Sequence, residues 1–260
     1  MRIATWNVNS IRTRIDRVTD WLQRSNVDVL AIQETKCKED QFPFEQLKAI
    51  GYEAAVVGLN QWNGEAIVSR VGIEDVAVAF ENQPKFKDTV EPRAIGATCG
   101  GVRVWSLYVP HGRGLDDPHF AYKLDWLAAL RTNAEMWLQQ DPTAQIALMG
   151  DWNIAPLDED VWDINVFEGS THVSEPERSA FQAFIDTGFT DVVRPFTPGP
   201  GIYTYWDYQQ LRFPKKEGMR IDFVLGSPAL TKSVTHAEID RDERKGKGAS
   251  DHVPVIVDFD

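Results

Sequence analysis

Carboxylates, amides and one histidine recur at the same place along this chain, just past short apolar runs. "VLAIQET" ends in Gln33 and Glu34, "IALMGDWN" delivers Asp151 and Asn153, "RIDFVLG" holds Asp222 in an otherwise apolar strand, and "SDHVPVIVDF" opens on Asp251 and His252. "WSLYVPHG" carries Tyr108 and His111, and "ATWNVNS" puts Asn7 and Asn9 two residues apart at the end of the first apolar run. Side chains alternate faces along a strand, so the two asparagines point the same way. Taken singly, each feature reads as a solvated strand end, a turn or a cap. Together they converge on one cleft if the strands are neighbours. Oxygen donors without cysteine suit a hard divalent cation, Mg²⁺ with Mn²⁺ as a substitute, which takes only one or two carboxylates from the protein. A cation partnered with histidine and amides suits a phosphate ester, whose hydrolysis needs a polarised phosphoryl oxygen and a carboxylate or imidazole to deprotonate water.

The elements that must position these groups follow from periodicity. Ile11, Ile15, Val18 and Leu22 recur at helical spacing through "IRTRIDRVTDWLQR", with Ser10 as the expected N-cap. "VDVLAIQE" reads as a buried strand, and "FEQLKAIGY" as a helix closed by Gly51. "YEAAVVG", "NGEAIVSR", "VAVAFE", "RAIGATC" and "VRVWSLYVP" form an antiparallel stretch broken by turn signals. A long helix is expected over about 118–140, then a buried strand in "QIALMGDWN". Residues 154–178 are acidic and irregular, and "SEPERSAFQAFIDTG" predicts a helix ended by Gly188. Strands in "IYTYWDY", "MRIDFVLG", "VTHAEID" and "VPVIVDF" complete the chain. No linker or composition shift divides it. The expectation is an α/β fold in one domain over 1–260, two mixed sheets packed together with helices outside.

With 43% hydrophobic residues the chain has an ordinary globular composition. Cys37 and Cys99 form no CxxC pair, which fits a reducing cytoplasm, and neither a signal segment nor a membrane span is expected. A formal charge of −12 argues against unspecific adhesion to nucleic acid. Yet residues 2–24 carry five arginines against two aspartates, and "RFPKKEGMR" at 212–220 has four basic residues and one glutamate. Such stretches are either solvated loops or small grips for a polyanion.

"WNVNSIR", "LAIQETK", "LYVPHGR", "GDWNIAP", "YTYWDY", "RIDFVL" and "SDHVPV" resemble the ordered motifs of the exonuclease III family of apurinic/apyrimidinic endonucleases, within the endonuclease/exonuclease/phosphatase superfamily. The resemblance runs from residue 4 to 257. It implies a four-layer α/β sandwich, Mg²⁺-dependent cleavage 5′ to abasic sites in double-stranded DNA, 3′-end trimming and 3′-phosphatase action by a monomer. Glu34 would hold the metal with Asn7 and Asp251 nearby. Asp151 would activate water, while Asn153 would orient Asp151 and could help hold a second metal. His252, kept basic by Asp222, would bind the phosphate or act as the base, and the choice between Asp151 and His252 stays open. Tyr108 would support the phosphate or leaving group. Tyr205, Trp206 and Met219 would line a pocket for the extruded sugar, with Asn9, Arg93, His111, Arg113 and His172 as further DNA contacts and the two basic stretches as phosphate grips.

Four positions depart from the family pattern. His111 stands where many relatives carry Asn, and Met219 where some place an aromatic residue. Glu65 replaces a small apolar residue and is expected to face solvent, since a lone buried carboxylate is costly. His172 lies in a loop where relatives with strong abasic-site activity have a small residue, which predicts a narrowed site favouring 3′-end processing. A phosphatase for inositol or lipid phosphates is the rival reading, and no amphipathic membrane element favours it.

Overall fold

The computed structural model describes residues 1–260. Its first half runs β1 (Arg2–Asn7), α1 (Ile11–Ser25), β2 (Val29–Gln33), α2 (Phe44–Ala49), β3 (Glu53–Val57), β4 (Glu65–Ser69), β5 (Glu74–Ala77), β6 (Ala94–Cys99) and β7 (Val102–Tyr108). The second half runs α3 (Pro118–Gln140), β8 (Ile146–Asp151), α4 (Glu175–Asp186), β9 (Thr190–Asp191), α5 (Arg212–Lys215), β10 (Asp222–Gly226), α6 (Pro228–Ser233), β11 (Val234–Ile239) and β12 (Val255–Phe259). Two six-stranded sheets result, in the orders β11-β12-β1-β2-β4-β3 and β5-β6-β7-β8-β10-β9. Each contains one parallel pair, β1 with β2 and β7 with β8. Parallel neighbours need a crossover, and α1 and α3 supply it.

Period-two burial sorts the core into layers. Ile3, Val29, Ala31, Val104, Met149 and Val224 meet between the sheets. The alternate residues Ala4, Leu30 and Ile32 pack beneath Ile11, Val18 and Leu22 of α1. On the other side Trp105, Leu107 and Leu148 pack beneath Trp126 and Leu130 of α3 and Phe184 of α4. Helix, sheet, sheet, helix is the four-layer α/β sandwich the sequence predicted. No helix is long and apolar enough to cross a membrane.

Several local expectations need correction. Ser10 does not cap α1 through its side chain; its φ is 92°, and the amides of Ser10 and Ile11 bond instead to the carbonyls of Glu34 and Thr35. The strand expected in "VAVAFE" ends at Ala77 and begins earlier, because Val76 and Val78 project into solvent from a sheet edge. "IYTYWDY" forms no strand. Tyr205 makes only isolated bridges to Met219 and His252, and β10 begins at Asp222 rather than Met219. Glu65 is fully buried between the sheets, where solvent exposure was expected. It stays there because Ser106 Oγ lies 2.7 Å from its Oε2 and because burial lifts the carboxyl well above the usual glutamate range.

Candidate active site

The inner faces of five strands turn polar at one shared end. Ile3–Thr5–Asn7 on β1, Val104–Ser106–Tyr108 on β7, Ala147–Met149–Asp151 on β8 and Val224–Asp222 on β10 follow the same stripe from core to site. Glu34 follows Gln33 at the end of β2, and the ladders put Asn7 opposite Gln33 and Asp151 opposite both Tyr108 and Asp222. The glycine of "GDWN" is part of this placement. A Cβ on Gly150 would lie 2.0 Å from the Leu107 carbonyl oxygen, so only glycine lets β8 run this close to β7.

Asn7 is the junction. Its Nδ2 donates to Glu34 Oε1 at 2.8 Å and Asp151 Oδ2 at 3.0 Å, while its Oδ1 accepts from the Asn9 amide at 3.0 Å. Asn7 thus meets both carboxylates as a donor, with its own oxygen turned away. His252 Nδ1 lies 2.8 Å from Asp222 Oδ2, which also accepts from Thr204 Oγ1 at 2.6 Å. That fixes the imidazole with Nε2 toward Asp151 Oδ2, 3.6 Å away. Asn9, Glu34, Asn153 and His172 all take left-handed φ values between 45° and 77°. Asparagine tolerates that region; for Glu34 and His172 it is local strain.

Electrostatics follow from burial and proximity. Burial, reinforced by Asp222 and Glu34, raises the Asp151 carboxyl to about 7 despite the neighbouring His252. Burial by itself would lower His252, but Asp222 and Asp151 outweigh it and lift the imidazole to about 10. Glu34 is raised by burial and brought below its ordinary value by Lys36, whose Nζ lies 2.7 Å from Glu34 Oε2, and by Asn7. Ligand atoms of Glu34, Asp151 and His252 lie within 4.8 Å of one another. Clustered carboxylates with so much uncompensated negative charge, next to a lysine ammonium already drawn in, fit a hard divalent cation. Asp251 stands at the rim, its Oδ1 accepting from Asn9 Nδ2 at 3.2 Å.

Beside this cluster opens a cavity of about 290 Å³ lined by His111, Trp162, Phe167, His172, Tyr205 and Met219. His172 Nε2 lies 3.1 Å from Asn153 Oδ1, and the His111 and His172 rings meet edge to face at 4.7 Å. Burial, with Lys123 next, lowers His172 well below its ordinary value, so that ring is neutral at physiological pH, while His111 stands exposed beside it.

Other sequence candidates lie elsewhere. Trp206 is 1% exposed and packs against Tyr203 and Phe213, so it does not line the cavity wall. Arg93 is buried, pairs with Glu91 at 2.6 Å and lies 4.8 Å over the Tyr108 ring. Burial and Glu34 push the Tyr108 phenol well above its ordinary value, keeping it a hydrogen-bond donor. Arg113 stacks over Phe86. The basic stretches are partly neutralised: Arg220 is buried against Asp191, Arg2 pairs with Asp258 and Arg17 with Glu243. Trp162 and Phe167 were missed. Their signal was present as bulky aromatics inside an otherwise acidic, irregular segment.

Comparison with known proteins agrees with this geometry. Residues 4–252 match the Endonuclease/Exonuclease/phosphatase family. The chain belongs to this family. A solved structure of the 3′ phosphatase NExo from Neisseria, bound to product DNA hairpin, is 37% identical with a TM-score of 0.95, covering 100% of this chain and 99% of that one. An AP endonuclease from Archaeoglobus fulgidus is 34% identical with a TM-score of 0.94, again over 100% and 99%. Among family sequences, an exodeoxyribonuclease of Bacillus subtilis strain 168 is 28% identical across 98% of each chain.

Proposed function

We propose that this chain is a metal-dependent DNA-repair phosphodiesterase of exonuclease III type, hydrolysing phosphoesters at 3′ ends and 5′ to abasic sites in duplex DNA, with Mg²⁺ as its working cation. The observation that carries the reading is the closure of Asn7, Glu34, Asp151 and the Asp222–His252 pair around one point beside a cavity. A divalent cation held by Glu34 and the neighbouring carboxylates would polarise the phosphoryl group and stabilise the leaving oxyanion.

The side chains divide the remaining work by position. Asp222 accepts from His252 Nδ1 and, with Asp151, keeps the imidazole protonated, so Nε2 also carries a proton that it can donate to a non-bridging phosphate oxygen. Asp151, bonded by the Asn7 amide and the Asn153 backbone amide, is oriented to take the proton of the attacking water. Tyr108, protonated and braced by Arg93, donates to the phosphate or the leaving oxygen. Asn9, at the rim beside Asp251 and Tyr208, is placed to meet the DNA backbone. Specificity then rests on DNA shape and backbone contacts, so binding weakens as salt rises.

A specific observation favours 3′-end processing over internal incision. His172 stands inside the cavity, bonded to Asn153 and packed on His111, where an extruded sugar within a continuous strand would have to fit. The likeness to the 3′ phosphatase from Neisseria supports the same emphasis. The test is an assay with Mg²⁺ on three duplexes carrying an internal abasic analogue, a recessed 3′-hydroxyl or a 3′-phosphate. Release of the 3′-phosphate is expected to be fastest, and chelation is expected to stop all three. Activity that survives chelation, or confined to small phosphomonoesters, would overturn the assignment.

A further inference from the structure

Lys123 on α3 and Glu177 on α4 are both completely buried and form an ion pair one layer behind the cavity. Lys123 Nζ also donates to the backbone carbonyls of Asn153, at 2.6 Å, and His111, at 3.3 Å. Glu177 Oε1 accepts from the His172 backbone amide at 2.9 Å, and Ser174 Oγ donates to Oε2 at 2.5 Å. The β7–α3 connection and both ends of the long β8–α4 connection are therefore tied by main-chain bonds to one ion pair. The side chains those loops carry are the ones that touch each other in the cavity wall. A buried ion pair adds little net stability over apolar residues of equal volume, so stability does not account for this arrangement; directed bonds to three backbones do.

We infer that the Lys123–Glu177 pair is a positioning clamp, which holds the backbones of His111, Asn153 and His172 so that the cavity wall is set relative to Asp151. Asn153 is the link to the chemistry, since its backbone amide donates to Asp151 Oδ1 at 3.0 Å while its carbonyl is held by Lys123. The inference deepens the proposed 3′-end chemistry and rests on it for its kinetic consequence. It does not rest on it for its structural one.

The test compares K123M/E177M, in which two unbranched apolar side chains replace the pair, with E177Q, which keeps an oxygen for Lys123 Nζ and the His172 amide. The double variant is expected to stay folded by circular dichroism while kcat on the 3′-phosphate duplex falls roughly tenfold or more, because loosened placement costs rate rather than DNA affinity. KM is expected to stay within about twofold, and the NMR cross-peak between the His111 and His172 rings to vanish. E177Q is expected to retain the cross-peak and most of kcat. Should the double variant be unstable, K123Q is read in the same way. A folded variant lacking the clamp yet keeping both wild-type kcat and the ring cross-peak would overturn the inference, as would E177Q losing as much as the double variant. The cross-peak needs no DNA, so a wild-type protein inactive on all three duplexes would sink the functional reading and leave the clamp to be judged by the spectrum.

Discussion

Asn7, Asp151 and Asp222 stand at the ends of strands whose inner faces lead out of the core between the sheets, whereas Trp162, His172 and Tyr205 lie on segments with no continuous ladder on either side. The first group is placed by paired backbones: Asp222 and Tyr108 both stand opposite Asp151 in register. The second is placed by single contacts, such as His172 Nε2 with Asn153 Oδ1 and the backbone bonds from Lys123 and Glu177. A ladder cannot shift one side chain without shifting the sheet. A loop can. Chemistry should therefore be lost abruptly by changes at the strand ends, and selectivity should be retuned gradually by changes in the wall.

The strongest break falls on Asp151. Asp151→Asn keeps the volume and the bond from Asn7 but removes the proton acceptor, so turnover on every duplex is expected to fall by about 10³-fold or more with little change in DNA affinity. Single-turnover rates check this, and a loss confined to one substrate would contradict a shared reacting centre. Asp222→Asn is expected to cost roughly 10²-fold, because His252 loses the partner that orients its ring and sustains its charge. The pH profile distinguishes the two roles. With Asp222 neutral, His252 gives up its proton at lower pH, so the alkaline limb of activity should move downward in that variant.

This division also decides what could be read from the sequence. The strand-end groups were legible because period-two alternation puts Asn7 and Asp151 on the same face as the core residues before them and Asp222 on the same face as Val224 after it. The motifs at Glu34 and His252 were legible for a simpler reason, each abutting an apolar run. Trp206 was misplaced because "YTYWDY" resembles a strand by composition, whereas its backbone bonds go to Met219 and Asp251 across a loop. Lys123 carried a readable sign, a cation at helical spacing among Tyr122, Trp126 and Leu127, but its partner lies 54 residues away on another helix. Pairings across that distance are fixed by tertiary packing, which no local pattern encodes.

A smaller effect is expected in the wall. His172→Gly removes the imidazole between Asn153 and His111 and enlarges the cavity next to Asp151 without altering the carboxylates. The ratio of internal abasic incision to 3′-phosphate release should rise by about tenfold, the scale on which a pocket discriminates by shape alone. Competition between the two duplexes in one tube measures the ratio directly, and an unchanged value would show that the wall does not select. Left-handed φ at His172 makes glycine the substitution least disturbing to the backbone.

The least effect on catalysis, and a measurable one on stability, belongs to Glu65. Ser106 Oγ lies near three groups: Glu65 Oε2 at 2.7 Å, the Ile32 carbonyl at 3.1 Å and Gln33 Nε2 at 2.9 Å, and Gln33 Oε1 accepts in turn from Thr5 at 3.1 Å. The hydroxyl has one hydrogen. If Glu65 were ionised it would need that hydrogen, and the contact from Ser106 to the Ile32 carbonyl would be lost; a protonated Glu65 donates to Ser106, which then donates to Ile32. Both contacts are hydrogen bonds only in the neutral form, in line with the carboxyl's strongly raised pKa. The native state thus holds a proton that the unfolded chain releases above its ordinary value of about 4.5. Stability from this group is complete below that pH and declines as pH rises toward the folded-state value, by about 1.4 kcal/mol per unit. Glu65→Gln supplies a donor to Ser106 at every pH. Its melting temperature should match wild type near pH 4 and exceed it near pH 7.5 by about 2–4 °C for each kcal/mol. Parallel melting curves across that range would mean that Glu65 is ionised in the fold and that the inter-sheet chain is bonded the other way round.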